Sequence, residues 1–553
     1  MFSGTGLSRR RFLGGALAAA GLAFGGCGDG EEREEGTPQA VETVGGEPKR
    51  GGQRERSTPG GFNIDPRLNY IAGAIVGSQC YSYLFAVRMD TDEIVPVCAT
   101  RIEQVDDITY LFKIHEKIRF HDTPDVQSKY PTLAGRQVTA EDLKYSIETF
   151  RDLAGAPLRD YHLNEIGRVE AVDDYTLKVV NRRPYSWTLS PNSISGITQG
   201  AIIPREVIER EGDLKTTCVG SGPFMMDSFS QTQGIRVVRN PSYFVPEEPY
   251  LDSQRWRIIN DSETAEAAFR SGQIDTWGPP NAVAFEGIKD MPGTVTNKLL
   301  ALYDMQLGVG SEIPPWNDPR VLQALHLAID RDALILSLEG GRSGEDASKY
   351  GLWAGGVPSG MVKYALSQEE LHRLIRYDPE ESRRLLSAAG HETIDVRLDY
   401  VNMEKVMLLA EAIAGQLRPV GINVILRPTE IANFATILIQ GEFEMMCVQG
   451  LGAYSPEMPL RGLTTPQPGA WGGSHFSDPE VDAMFEEICR TFDAEERQEM
   501  VKEMQRLALS KFPPLIRLYT PWDYQIRYDY VKNVHPEQGA MANAFNYRVW
   551  LDN

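Results

Sequence analysis

Apolar and polar positions alternate in short runs along this chain. "TYLFKI" (109–114), "YTLKVV" (175–180), "IRVVRN" (235–240) and "INVILRP" (422–428) are β-branched or alternating stretches, the period-two pattern of strands with one buried face. Between such runs the period changes to that of a helix. "PEVDAMFEEI" sets Val481, Met484, Phe485 and Ile488 on one face. Helix starts are marked by Asp318-Pro319, Asp378-Pro379 and Asp478-Pro479, each a capping carboxylate ahead of a proline at the first helical position. "DPEESRRLLSAAG" adds Glu381 three residues after its cap and a stop at Gly390, and "TAEDLKYSIETF" starts at Thr139 with Asp142 at the third helical position. Strand and helix signals interleave throughout with no fixed-period repeat, which predicts a mixed α/β fold.

The first apolar run, from Phe12 to Phe24, follows Arg9-Arg10-Arg11. At about 1.5 Å per residue it is too short to cross a hydrocarbon core of ~30 Å, and its glycines make it a poor helix. A cationic start, a short apolar stretch and a small-residue end describe an export signal over 1–26, and Ser8-Arg9-Arg10-Arg11-Phe12-Leu13 matches the twin-arginine type. Phe24-Gly25-Gly26-Cys27 resembles the lipobox of bacterial lipoproteins, with Phe24 where leucine is usual. Cys27 is therefore the expected lipidation site. Residues 27–47 carry almost no large apolar side chains and read as a flexible tether. The two acyl chains of a diacylated cysteine suffice for stable anchoring.

Composition adds bounds. At 553 residues the chain suggests two or more domains, and 42% hydrophobic with 9% aromatic residues is ordinary for a globular protein. The formal charge is −21, and residues 1–26 hold three arginines and no acid, so removing them makes the protein more acidic still. That argues against nucleic acid or a bulk anionic membrane surface as partner. Besides Cys27 there are five cysteines, Cys80, Cys98, Cys218, Cys447 and Cys489, none in a CxxC. Buried free thiols are the default expectation, and one disulfide remains open.

Motifs for chemistry are absent. There is no HExxH and no GxSxG, and "VGSGPF" and "LGVGSE" complete neither a dinucleotide nor a phosphate loop. No catalytic residue, metal ligand or cofactor is expected. Phe120-His121-Asp122 is expected to close a strand into a turn, and Ser221-Gly222-Pro223 to lead into a sheet. Asp330-Arg331 reads as a helix-end charge pair, worth well under ~1 kcal/mol if exposed.

One group of segments points further. "NIDPRLNY", "YLFAVRMDTDEIVPVCATRIEQVDDITYLFKIHEKIRFHD", "VTAEDLKYSIE", "GSGPFMM", "AFRSGQIDTW", "NDPRVLQALHLAIDRDAL", "YDPEESRRLLSAAG" and "FSDPEVDAMFEEI" occur in this order from about Pro48 onward. Together they resemble the bacterial extracellular solute-binding proteins of family 5, the dipeptide, oligopeptide and nickel receptors of ABC importers. The resemblance implies an α/β, two-lobed periplasmic-binding-protein fold of type II, with an extra subdomain on lobe one and two crossing strands as hinge. Carried to this chain, lobe one is about 48–300 with the return 516–553, its extra subdomain about 62–180, and lobe two 301–515. "LYDMQLGV" and "PPLIRLYT" form the crossings. The lobes close on a small solute and present it to a membrane permease, with no covalent step. The implied protein is an extracytoplasmic monomer that touches the membrane only through its lipid. Candidate ligand contacts are Asn69, Tyr70, Gln449, Leu451, Ala453, Tyr454 and Trp471, with Trp353 and Trp522. In peptide receptors of the family an aspartate before the tyrosine anchors the ligand's amine; here Ala453 stands there, with Glu457 or Glu444 as the nearest acidic replacements. A nickel or metal-chelate receptor, or a secreted enzyme without recognisable motif, are the alternatives.

Overall fold

A computed structural model describes residues 46–58, 64–67, 76–87, 93–153, 165–190, 193–194, 200–430, 437, 443–450, 452, 454–465, 476–534 and 547–552. Among these residues one mixed sheet of twelve strands forms the spine. It runs from Ile422–Thr429 through Ile394–Val401, Met445–Gln449, Met305–Val309, Leu515–Tyr528, Thr276–Trp277, Gln53–Thr58, Ser253–Ile258 and Gly234–Arg239 to Phe224–Ser230. Thr294–Leu300 and Gly351–Trp353 also pair with Leu515–Tyr528.

That fourteen-residue strand joins two halves. Its first residues lie antiparallel to Met305–Val309, with Ile516 opposite Leu307 and Tyr519 opposite Met305. Its later residues lie antiparallel to Thr294–Leu300, from Trp522 opposite Leu300 to Tyr528 opposite Thr294. The chain thus passes between the halves twice and side by side, at 300–305 and at 519–522. The Ala301 amide donates to the Pro521 carbonyl at 3.0 Å and ties the crossings together.

The predicted helices form where their caps stand. The side chains of Asp318, Asp378 and Asp478 each accept a backbone N–H of the first turn, and Thr139 and Asp142 complete a capping box. Each such cap stabilises its helix by about 1 kcal/mol. In Pro479–Arg490, Val481, Phe485 and Ile488 are buried. A separate four-stranded sheet (Ala99–Gln104, Thr109–Ile114, Thr176–Asn181, Ile166–Asp173) is inserted after the first strand of the spine. Helix Ala140–Asp152 packs on it through Leu143, Ile147 and Phe150.

Phe120-His121-Asp122 closes no strand: strand Thr109–Ile114 ends before it, Arg119 makes only an isolated bridge to Gln137, and the three residues lead into helix Pro124–Lys129. His121 is buried, and its Nδ1 accepts the Gly220 amide (3.3 Å) while Nε2 meets the Gly222 carbonyl (3.2 Å). The imidazole is therefore neutral, and burial lowers its pKa to about 4. Ser221-Gly222-Pro223 leads into strand Phe224–Ser230 as expected. Asp330-Arg331 corrects the sequence reading. Asp330 caps its helix by accepting the Ala333 amide (3.0 Å). Arg331 instead turns inward, 1% exposed, with its guanidinium 5.7 Å from the Trp353 ring. At the first turn of an amphipathic helix the apolar stem of an arginine can occupy a core position, and a two-residue sequence motif does not reveal which face it takes.

Candidate ligand-binding cleft

Ligands of α/β sheets bind beyond the carboxyl ends of the strands, where the connection reverses. Here that place is the level of the crossings. Gln449 ends its strand opposite Met305, Met305 lies opposite Tyr519, and Tyr519 lies opposite Trp353. These four residues form one row across the sheet.

Next to this row the backbone carries charge into the interior. The Tyr519 hydroxyl donates to Glu339 Oε1 at 2.8 Å, and the Lys405 ammonium lies 2.8 Å from the same oxygen. Glu339 ends the helix Arg331–Glu339 and is fully buried; Lys405 sits in the first turn of Glu404–Leu417, just past the end of strand Ile394–Val401. The Tyr303 hydroxyl donates to Asp523 Oδ1 at 3.2 Å. Desolvation raises the Asp523 pKa; Lys405 pulls it back down and Glu339 pushes it up further. Two carboxylates share one ammonium here, so the group is acidic on balance.

A second buried unit holds the crossings in place. Arg517 Nη1 lies 2.7 Å from Asp304 Oδ2, both side chains at 5% exposure or less. Arg517 Nη2 also donates to the Pro459 carbonyl (2.9 Å), Gln306 donates to Asp304 Oδ1, and the Gly450 amide donates to the Asp304 carbonyl (2.8 Å). The first crossing thereby fixes the start of the segment after Gln449. A Cβ at Gly450 would stand 2.5 Å from Gln306 Nε2 and displace the amide that donates to Asp304.

The inserted sheet meets the second half as well. Tyr83, Tyr185 and Trp187 share one apolar cluster with Tyr454, Met458, Phe485 and Met504. The Ser186 amide donates to the Cys489 carbonyl (2.7 Å), Arg183 pairs with Glu486, and Arg497 lies 4.5 Å over the Trp187 ring. The two halves therefore touch away from the crossings as well.

The sequence profile of "Bacterial extracellular solute-binding proteins, family 5 Middle" matches residues 93–469, well over half of the chain. The chain belongs to this family. It is 24% identical over 465 residues to the glutathione-binding protein GsiB of Pectobacterium atrosepticum, covering 80% of this chain and 84% of that one. It is 26% identical over 432 residues to the protein of the same name from Escherichia coli K12, covering 74% and 78%. Among solved structures it is similar to Helicobacter pylori DppA in complex with the peptide STSA (TM-score 0.76, 22% identity, 91% of this chain and 99% of that one). It is similar also to AgaA of A. tumefaciens R10 in complex with agropinic acid (TM-score 0.77, 20% identity, 91% and 99%). At these identities the structures share the fold: two α/β lobes and a crossing hinge.

Within this family fold the sequence candidates separate. Gln449 and Trp353 share the row at the crossings. Trp353 is half-buried, its Nε1 donating to Asp332 (2.6 Å) and its ring edge-on to His372 at 4.2 Å. Trp522 donates to the Ser348 carbonyl (3.2 Å), and the Lys298 ammonium sits 4.5 Å over its ring. Tyr454 is buried in the apolar cluster between the halves. Glu457 is taken up by Arg461 (2.9 Å) and Tyr185, and Glu444 accepts the Arg397 amide (2.7 Å) at the opposite end of its strand from Gln449. Asn69, Tyr70, Leu451, Ala453, Trp471 and Cys27 lie outside the described residues. Sequence reasoning passed over Glu339, Lys405, Asp304, Arg517, Tyr303 and Asp523. A signal existed for two of them: Asp304 in "LYDMQLGV" and Arg517 in "LIRLYT" are charges inside runs that otherwise read as buried strands.

Proposed function

We propose that this family 5 protein captures a small peptide-like zwitterion between its lobes and hands it to the permease of an ABC importer. The observation that carries this reading is the charged group beside the crossings, buried Glu339 with the partly exposed Lys405 and Asp523. It combines both signs of charge at the level where hinge closure removes water, and desolvated charges discriminate strongly between ligands that pair them and ligands that do not. The relatives named for glutathione, and the fold shared with peptide and opine complexes, support the same ligand class. In this reading the ligand amine is held by the Glu339–Asp523 side of this group, replacing the carboxylate whose position Ala453 occupies. Trp353, Trp522 and Gln449 supply walls, with Asn69, Tyr70, Leu451, Tyr454 and Trp471 as further candidate contacts. A twin-arginine-type signal directs export, and the acylated Cys27 keeps the protein, as a monomer, beside its permease.

Titration calorimetry with di- and tripeptides, glutathione, opines and nickel–histidine tests the ligand. Tight binding of a zwitterionic peptide-like compound, weakened at least tenfold (about 1.4 kcal/mol) by Asp523→Asn, is expected. Binding of nickel chelates alone, or steady consumption of any compound, refutes the reading. Radiolabelled palmitate incorporation that vanishes in Cys27→Ala is expected for the anchor; equal labelling of both proteins refutes it.

A further inference from the structure

Cys80 and Cys218 stand at the two ends of the inserted unit. Cys80 precedes its first strand, which begins at Ala99, and Cys218 follows its last, which ends at Asn181, just ahead of the return to the spine at Phe224. The two passages lie against each other along several residues. The Gly222 amide donates to the Cys80 carbonyl at 2.9 Å, and the Ser82 hydroxyl donates to the Ser221 carbonyl at 2.9 Å. The Gly220 carbonyl accepts the His121 amide at 2.7 Å. The approach is close enough that only glycine fits: a Cβ at Gly220 would stand 1.9 Å from the Cys80 carbonyl oxygen, and one at Gly222 2.6 Å from its carbon. The Cys80 thiol is buried, and the neighbouring Cys218, partly open to solvent, adds to burial in pushing its pKa up.

We propose that Cys80 and Cys218 are joined as a disulfide in the exported protein, stapling the entry of the inserted unit to its exit. Disulfides demand that the two backbones approach within a few ångströms, and these two passages already do. Forming the bond from two thiols is a two-electron oxidation. The partly exposed Cys218, as thiolate, attacks a disulfide of an extracytoplasmic thiol oxidase, giving a mixed disulfide and releasing one oxidase thiolate. Cys80 loses its proton and attacks Cys218 Sγ; the Sγ–Sγ bond forms, the mixed disulfide breaks, and the oxidase leaves as a dithiol carrying both electrons and both protons. Burial pushes the Cys80 thiol well above its ordinary pKa, which makes this second step slow and leaves the completed bond shielded from reductants. Cys98, Cys447 and Cys489 are buried elsewhere and stay as thiols. Export by a route that carries folded protein places the oxidation after folding, when the pair is already aligned.

The test uses full-length protein recovered from the extracytoplasmic fraction, denatured and alkylated without reductant, then digested with trypsin. Peptides 68–88 and 216–236 are expected as one linked species that separates on reduction, with Cys98, Cys447 and Cys489 alkylated. Alkylation of both Cys80 and Cys218, or a link between any other pair, overturns the proposal. Incubating the native protein with oxidised glutathione tests the geometry apart from the export route: failure to form the link even then shows that the thiols do not meet. A link that forms only with added oxidant overturns its presence in the exported protein. As a second readout, reductant is expected to lower the thermal midpoint of the wild type and leave that of Cys218→Ser unchanged. Equal responses overturn the proposal.

Discussion

The hinge is held by a buried ion pair whose worth can be worked out from its surroundings. Arg517 and Asp304 meet at 2.7 Å with almost no exposure, and Arg517 also satisfies the Pro459 carbonyl. Replacing Arg517 by methionine keeps the apolar stem and removes the charge. Asp304 then stays in a site without water, with the Gln306 amide as its remaining side-chain donor, and the Pro459 carbonyl loses its Arg517 donor. An uncompensated buried charge costs about 3–5 kcal/mol, and a carbonyl left without its donor adds about 1–3 kcal/mol. Relaxation lets some water in, so the lower end of the sum, about 4–5 kcal/mol in total, is the expected loss. Removing both charges, in Asp304→Leu with Arg517→Met, is expected to recover most of it, because paired burial of ions is close to neutral against apolar replacements. The coupling energy between the two sites is then at least 2 kcal/mol, well outside the additivity of independent positions. Urea unfolding followed by tryptophan fluorescence measures each variant. A single variant within 1 kcal/mol of wild type, or a double variant no better than the single one, would refute the reasoning that this pair is desolvated and coupled.

Three further outcomes follow from named contacts. His121 is neutral in the fold with its pKa lowered from 6.5 to about 4, so the unfolded chain binds the extra proton between these values and stability falls as pH drops from 6.5 toward 4, by at most about 3 kcal/mol. His326, lowered to about 3 by burial and by Arg331, adds a loss in the same direction, and His121→Gln flattens the first part of the urea midpoint-against-pH curve. Gly222→Ala places a methyl 2.6 Å from backbone and is expected to abolish soluble protein, whereas Gly212→Ala, with nothing within 4 Å but a φ of 82°, loses only about 1 kcal/mol; equal yields of both would contradict the close-packing argument. Lys405→Met leaves Glu339 with Tyr519 as its donor and is expected to change which solutes bind, shifting calorimetric preference toward more cationic ones; an unchanged preference removes Lys405 from the ligand site.

Local signals were legible wherever chemistry and neighbourhood coincide. Asp318, Asp378, Asp478 and Thr139 act within their own first turn, so four residues of sequence contain the whole interaction, and the structure repeats them. Period-two runs likewise became strands at 109–114, 176–181, 234–239 and 422–429. The candidate site was legible only in part. Trp353 was picked out as an aromatic beside glycines and Gln449 as part of the stretch that matches the family's ligand segment, and they share one row of the sheet. Glu339, Lys405 and Asp523 come from three distant segments, and their meeting is a product of tertiary packing that no window of sequence displays. Arg331 shows the same limit from the other side. Its motif is local, but which way the side chain turns is decided by Trp353 and by the core behind it.

The distribution of buried charge bears on how such a fold can move. A hinge built only of apolar strands would tolerate a continuum of small rotations, since apolar packing is not directional. Here each crossing carries directional partners: Asp304 with Arg517 on the first, Tyr303 with Asp523 where the second leaves. The Arg517–Asp304 unit lies within the second half and can rotate with it as a block. The Tyr303–Asp523 bond spans the two crossing segments and must change when they turn. Burial and Glu339 both disfavour the charge on Asp523. A positive ligand group arriving there would favour the charged carboxylate and the closed arrangement together. Binding and closure then draw on one free energy, and opening has to give back both.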